Sequence, residues 1–133
     1  MLKTALIVED EIFVALDLER ILIDAGYTVA AIAADRDSAL EAAPSCGFAF
    51  VDVNLRDGPT GPEIARRIAA DHGIKVVFVT ANPTQIGTGE GALGYIRKPF
   101  NEREILAAAA LASGDTHVAN DDLMPIGGVV SLG

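Results

Sequence analysis

A doubly wound α/β fold with a five-stranded parallel sheet is the fold class predicted by this 133-residue sequence. Three observations carry the prediction. Short, continuous apolar runs alternate with stretches of helical periodicity as far as about residue 112. That is the pattern of right-handed βα units on a sheet covered on both faces. The runs Leu6-Ile7-Val8, Phe48-Ala49-Phe50-Val51, Val76-Val77-Phe78-Val79 and Leu93 to Arg97 are followed by Glu9-Asp10, Asp52, Thr80 and Lys98-Pro99. Parallel pairing would gather these acids, a hydroxyl and an ammonium at one sheet edge. Finally, half of the residues are hydrophobic, with five Phe, two Tyr and no Trp, which suits aliphatic helices on a sheet better than an aromatic-rich sandwich.

The elements follow in order. Residues 4–8 are a short apolar run bounded by acids and read as a buried strand. Residues 10–26 read as a helix closed by Gly26, with Val14, Leu18, Ile21, Leu22 and Ala25 as its core stripe. Residues 28–33 suit a second strand. Ser38 and Glu41 have capping-box spacing, and the helix they open must stop near Pro44. Residues 48–52 form the third strand. A Gly/Pro-rich turn follows, and Pro62 suits the first turn of a helix with Ile64 and Ile68 on its apolar face and Gly73 at its end. Residues 75–80 are the fourth strand and 93–97 the fifth. Between them, residues 82–92 carry Gly and Pro with little periodicity, so a loop or one irregular helical turn is expected there. Asn101 and Glu104 again have capping spacing before an Ala-rich helix to about residue 112. The expected strand order is 2-1-3-4-5, the flavodoxin-like arrangement, with sites beyond the carboxyl ends of strands 1 and 3. Residues 1–113 read as one domain, and residues 114–133 as a flexible or docked tail.

Composition excludes several functions. The net charge of −9, without a Lys/Arg stripe, argues against nucleic-acid binding. Cys46 is the only cysteine, so neither a disulfide framework nor a CxxC metal site is expected. No signal-peptide pattern and no membrane-length apolar stretch are present, so a cytoplasmic location is expected.

Clustered carboxylates at an open edge repel one another unless a cation sits between them. Their hard oxygens suit Mg²⁺ or Mn²⁺. A carboxylate beside such an ion and a lysine can attack phosphorus, because both cations neutralise the phosphoryl oxygens. Taken singly the residues have plainer explanations. Asp52 suits a turn, Glu9-Asp10 a helix N-terminus, Thr80 a strand end and Lys98 a solvated surface.

Together, Val8-Glu9-Asp10-Glu11, Val51-Asp52-Val53-Asn54-Leu55, Val79-Thr80-Ala81 and Tyr95-Ile96-Arg97-Lys98-Pro99-Phe100 resemble the receiver (CheY-like) domain of two-component response regulators, over residues 4 to about 112. The resemblance implies that Asp52 is the phosphoacceptor. It implies that Asp10 and Asp52 ligate Mg²⁺ by side chain, Asn54 by its carbonyl and Glu9 through water. Thr80, Ala81 and Lys98 would contact the phosphoryl group, and the Lys98-Pro99 peptide would be cis. Thr80 and Tyr95 would be the switch pair, and Asn54 and Asn82 would tune dephosphorylation. Thr80 and Lys98 are only 18 residues apart, so the fourth helix is expected to be shortened or irregular. Thr80-Ala81-Asn82-Pro83 is similar to the form found in alphaproteobacterial general-stress regulators, whose fourth helix is also altered.

The first helix carries a second apolar stripe of Ile12, Leu16 and Ile23. The resemblance implies that Ile12 and Leu16, with Pro99 and Phe100, dock a histidine kinase or histidine phosphotransfer protein. The expected function is a single-domain response regulator that signals by protein–protein contact to a downstream protein, since no output domain follows residue 112. It would be no enzyme beyond its own phosphorylation and dephosphorylation. A phosphate sink or relay is the alternative. A haloacid dehalogenase-type phosphatase fits less well, because that chemistry needs an acid two residues after the nucleophile, where Asn54 stands. A binding module that keeps only the fold is the remaining reading.

Overall fold

The computed structural model describes residues 2–114. Five parallel strands, β1 (Thr4–Val8), β2 (Thr28–Ala33), β3 (Phe48–Val51), β4 (Lys75–Thr80) and β5 (Ala92–Arg97), form one sheet in the order β2-β1-β3-β4-β5. The helices are α1 (Ile12–Asp24), α2 (Arg36–Ala42), α3 (Gly61–His72) and α4 (Glu102–Ala112). A 3₁₀ turn at Pro83–Ile86 stands where a fourth crossover helix would otherwise lie. The stretch between β4 and β5 therefore holds a single turn and Gly-rich chain, in keeping with its lack of periodicity.

The strands are continuous apolar runs because both faces are covered. Leu6, Val8, Ala49, Val51, Val76 and Phe78 pack on one side with Ile64 and Ile68 of α3 and with Ile86 of the 3₁₀ turn. Ala5, Ile7, Phe48, Phe50, Val77 and Val79 pack on the other side with Leu18 and Leu22 of α1 and Ile105 of α4. Ala107, Ala108, Ala109, Ala110 and Ala112 of α4 are all buried. Cys46 is buried among the first set, and burial pushes its thiol pKa up, as expected of a passive thiol.

Three details differ from expectation. α1 begins at Ile12 rather than residue 10, because the Glu9 N–H continues the sheet by donating to the Ala33 carbonyl at 2.8 Å. Its buried face is Ala15, Leu18, Ile21 and Leu22; Val14 is half-buried and Ala25 exposed. α2 begins at Arg36 with Asp35, not Ser38, as its N-cap: both the backbone N–H and the hydroxyl of Ser38 donate to Asp35 Oδ1. Asp caps at least as well as Ser, so the earlier residue takes the position. The capping box of α4, by contrast, is present with both reciprocal bonds between Asn101 and Glu104. Of the expected tail 114–133, residues 115–133 lie outside the described residues.

Candidate functional site

The backbone ladder runs one residue past the strands and thereby places the acids. The Asp52 N–H donates to the Val8 carbonyl at 2.9 Å, as Glu9 bonds Ala33 on the other side of β1. Glu9 and Asp52 thus emerge at the β1–β3 switch point, where strand order reverses. On the far side, the Lys98 N–H donates to the Thr80 carbonyl at 3.0 Å and fixes the start of the β5–α4 loop. The Lys98-Pro99 peptide is cis, as expected.

One glycine makes this edge possible. A Cβ on Gly61 would lie 2.0 Å from the Asp52 carbonyl oxygen and 2.7 Å from Val53 Cα. Only a residue without a side chain lets the N-terminus of α3 close on the chain that carries Asp52. The Gly61 N–H donates to the Val53 carbonyl at 3.0 Å and seals that approach.

The side chains converge on one ammonium. Lys98 Nζ lies 2.7 Å from Glu9 Oε1, 2.9 Å from Asp52 Oδ2 and 3.2 Å from Glu11 Oε1. Asp52 Oδ1 accepts the Val53 N–H at 2.7 Å, and Glu9 Oε2 accepts the Glu11 N–H at 3.1 Å. Burial pushes the Glu9 carboxyl up to about 7; the nearby Asp52 charge adds to this and Lys98 opposes it. Burial alone would lower Lys98, but the carboxylates of Glu9 and Asp52 outweigh it and hold the ammonium well above its usual range.

Glu9, Asp10 and Asp52 each offer a carboxylate oxygen within 4.8 Å of the others. Opposite ligands of an octahedral ion with bonds of about 2.1 Å are about 4.2 Å apart, so a small contraction suffices. Glu9 Oε1 is buried and is met by the Lys98 ammonium. Hard oxygen donors, and more carboxylates than the single ammonium neutralises, fit a divalent cation at this place.

The remaining candidates lie around this centre. Thr80 is fully buried at the end of β4, and its hydroxyl accepts the Asn82 N–H at 3.0 Å. Ala81 and Asn82 are exposed beyond it. Asn54 Nδ2 donates to Gln85 Oε1 at 2.7 Å. Tyr95 is half-buried against the α3 side of the core. Ile12, Leu16 and Ile23 are exposed on α1, as the second stripe predicts. A cavity of about 460 Å³ lies along the other flank of α1, lined among others by Glu11, Val14, Asp17, Lys98, Pro99 and Phe100.

Four participants escaped the sequence reading. Glu11 reaches Lys98 from outside the strand run, Gly61 passed for a turn former, and Gln85 sits in a segment with no period. Phe13 is 84 % exposed on α1. Only Phe13 carried a signal, since a large aromatic stood outside the core stripe.

Comparison with known proteins agrees with this geometry. The family described as "Response regulator receiver domain" matches residues 5–110. The phyllosphere-induced regulator PhyR of Methylorubrum extorquens is 31 % identical over 117 residues, covering 84 % of this chain and 44 % of PhyR. The chain thus spans under half the length of that relative. Among solved structures, the PhyR receiver domain of Erythrobacter litoralis is 29 % identical with a TM-score of 0.76, covering 87 % of this chain and 93 % of that one. The receiver domain of the sensor histidine kinase PA1611 from Pseudomonas aeruginosa, which has a magnesium ion coordinated in its active site cleft, is 25 % identical with a TM-score of 0.71, covering 84 % and 97 %. The strand order, the edge carboxylates and the family match agree: this chain belongs to the response regulator receiver domain family of two-component systems, with a CheY-like fold.

Proposed function

We propose that this protein accepts a phosphoryl group from a phosphohistidine onto Asp52 and signals the change by protein–protein contact. One observation carries the reading: Asp52, almost buried, has one carboxylate oxygen on the Val53 N–H and the other on the Lys98 ammonium, with Glu9 and Asp10 beside it. That is an oriented nucleophile next to a fixed positive charge and a cation site. Attack of an Asp52 oxygen on phosphorus forms the acyl phosphate O–P bond. The P–N bond to the donor imidazole breaks, and the electron pair leaves with the imidazole.

Mg²⁺ (or Mn²⁺) would be held by the side chains of Asp10 and Asp52, the carbonyl of Asn54 and, through water, Glu9. Bound there, it would neutralise phosphoryl oxygen charge. Lys98, the Thr80 hydroxyl and the Ala81 backbone are the protein groups proposed to meet the remaining phosphoryl oxygens. Thr80 and Tyr95 are the proposed switch pair, and Asn54 and Asn82 the residues that tune dephosphorylation. Residues 1–113 are proposed as the receiver unit. The hydrolase alternative is disfavoured because Asn54 is a neutral amide engaged by Gln85. Among the described residues, no helix is long and apolar enough to cross a membrane.

The donor would dock on α1. Ile12 is 56 % exposed, and Phe13, Leu16 and Ile23 extend the same apolar side. On the other flank of α1, Glu11, Val14 and Asp17 join Lys98, Pro99 and Phe100 around an open cavity. The fitting partner is an apolar helical face of a histidine kinase or histidine phosphotransfer protein.

Phosphotransfer from candidate kinases, followed by intact mass, tests the reading. Wild type gains one phosphoryl group in a Mg²⁺-dependent manner and Asp52→Ala gains none; equal labelling of Asp52→Ala would refute it. Leu16→Asp should slow transfer from the kinase at least about tenfold, as for loss of an apolar anchor at an interface. It should leave labelling by acetyl phosphate unchanged. Equal slowing with both donors would show that α1 is not the docking face.

A further inference from the structure

We propose that Gln85 is a positioning residue: by holding the Asn54 carboxamide across the β3 and β4 strand ends, it sets how fast water removes the phosphoryl group from Asp52. The inference rests on the proposed phosphorylation of Asp52 and deepens it.

The structural basis is an unbroken run of hydrogen bonds. The Thr80 hydroxyl accepts the Asn82 N–H at 3.0 Å. The Asn82 carbonyl accepts the Gln85 N–H at 3.0 Å. Gln85 Oε1 then accepts Asn54 Nδ2 at 2.7 Å. The run starts at the end of β4 and finishes in the loop after β3. Those strands are hydrogen-bonded neighbours, Val51 opposite Phe78, so Asp52 and Thr80 follow at adjacent ends. The 3₁₀ turn therefore acts as a strap between the two loops, with Ile86 buried in the core as its anchor.

The geometry has a chemical consequence. Hydrolysis forms a bond from a water oxygen to phosphorus and breaks the bond from phosphorus to the Asp52 oxygen. The carboxylate takes the electron pair, and the attacking water gives up a proton to solvent. Asn54 is two residues from the carboxylate, and its amide is freely jointed about two side-chain bonds. Engaged by Gln85, it is fixed in one orientation and shields the opening. Released, it rotates and admits and orients water. Gln85 itself is exposed and makes no contact with Glu9, Asp52 or Lys98 among the interactions described, so it acts through Asn54.

The test uses the intact chain, acetyl phosphate and Mg²⁺, with phosphoryl loss followed by mass after the donor is removed. Gln85→Met keeps the side-chain length and removes the acceptor. It should shorten the phosphoryl lifetime by about two- to tenfold, the fold-change of one neutral hydrogen bond. Labelling rate, Mg²⁺ affinity and melting temperature should not move. Gln85→Glu keeps an acceptor oxygen and should restore the wild-type lifetime. Asn54→Ala should shorten the lifetime, with no further change when combined with Gln85→Met. An unchanged lifetime in Gln85→Met, additive effects in the double variant, or a parallel loss of melting temperature would overturn the proposal. Failure of wild type to label at all would overturn the phosphoacceptor reading as well, so the two failures are told apart.

Discussion

The two halves of the sheet edge are built differently. Beyond β1 and β3, the chain is held by backbone. Glu9 and Asp52 extend the parallel ladder, and Gly61 brings α3 into contact with the Asp52 peptide. The next loops are cross-braced as well: the Arg56 N–H reaches the Ala34 carbonyl, Arg56 pairs with Asp35, and the Arg36 N–H donates to Asp57. Between β4 and β5, a single turn is tied down by Ile86 and by one run of hydrogen bonds. Glu9 and Asp52 sit on the braced half, Thr80 and Lys98 on the other, from which the ammonium meets both acids, and the turn between β4 and β5 has the fewest ties. Low local stability is where a shape change is least costly.

The contrast can be broken first at Gly61. Gly61→Ala should cost about 3 kcal/mol or more of stability, because the new Cβ meets backbone that cannot swing aside. Urea unfolding followed by circular dichroism checks it, and a loss below about 1 kcal/mol would show that the β3 side yields as readily as the β4 side.

Lys98 joins the halves and should come next. In chelator, Lys98→Met should cost about 2 kcal/mol at pH 8, since two buried acids lose their counter-charge. The sign with pH follows from Glu9, whose carboxyl is raised to about 7 by burial. Losing Lys98 removes the group that opposes that rise, so in the variant Glu9 holds its proton to still higher pH, and near pH 5 one acid rather than two lacks its counter-charge and the penalty shrinks. As pH rises past 7 Glu9 ionises and the penalty grows. A penalty that grew on acidification would contradict this account of the ammonium.

The smallest effect is expected from Asp35→Asn, which loosens the brace without touching the acids. Bonds from Ser38 and the Arg56 guanidinium hold the Asp35 carboxyl well below its usual range. A lowered carboxyl pKa stabilises the folded state above the unfolded value and loses that contribution as pH falls through the folded one. The melting temperature should drop by a few degrees at pH 7. The difference should narrow as the medium becomes strongly acidic. An equal loss at both ends of the pH range would assign the effect to the cap geometry alone.

The same contrast explains what the sequence disclosed. Strands are recognisable because burial on both faces demands unbroken apolar runs, and Asp52 is conspicuous because it terminates one. Strand order followed from five continuous apolar runs, which suit a doubly wound parallel sheet. Asp35 was passed over because Ser38 and Glu41 satisfy a local spacing that the cap does not use. Gly61 was invisible as a close approach, since nothing local distinguishes it from a turn glycine; the atoms it makes room for belong to Asp52 and Val53. Gln85 had no periodic context, and its partner is 31 residues away. Side chains that act across loops are silent in a linear reading, whereas side chains placed by strand ends are not.

The buried alanines of α4 have a consequence for variation. Apart from Ile105, the fully buried face of α4 is made of single methyl groups, so the helix lies close against its neighbours with little side-chain volume to give back. Its tolerance is therefore narrow on both sides: Ala109→Gly loses a packed methyl and about 1 kcal/mol of helix propensity, and Ala109→Leu must lift the helix away from the sheet. Divergence along this face would have to proceed by paired changes, an enlargement here matched by a reduction in α1 or β5, so the helix acts as a spacer that sets the allowed size of its neighbours.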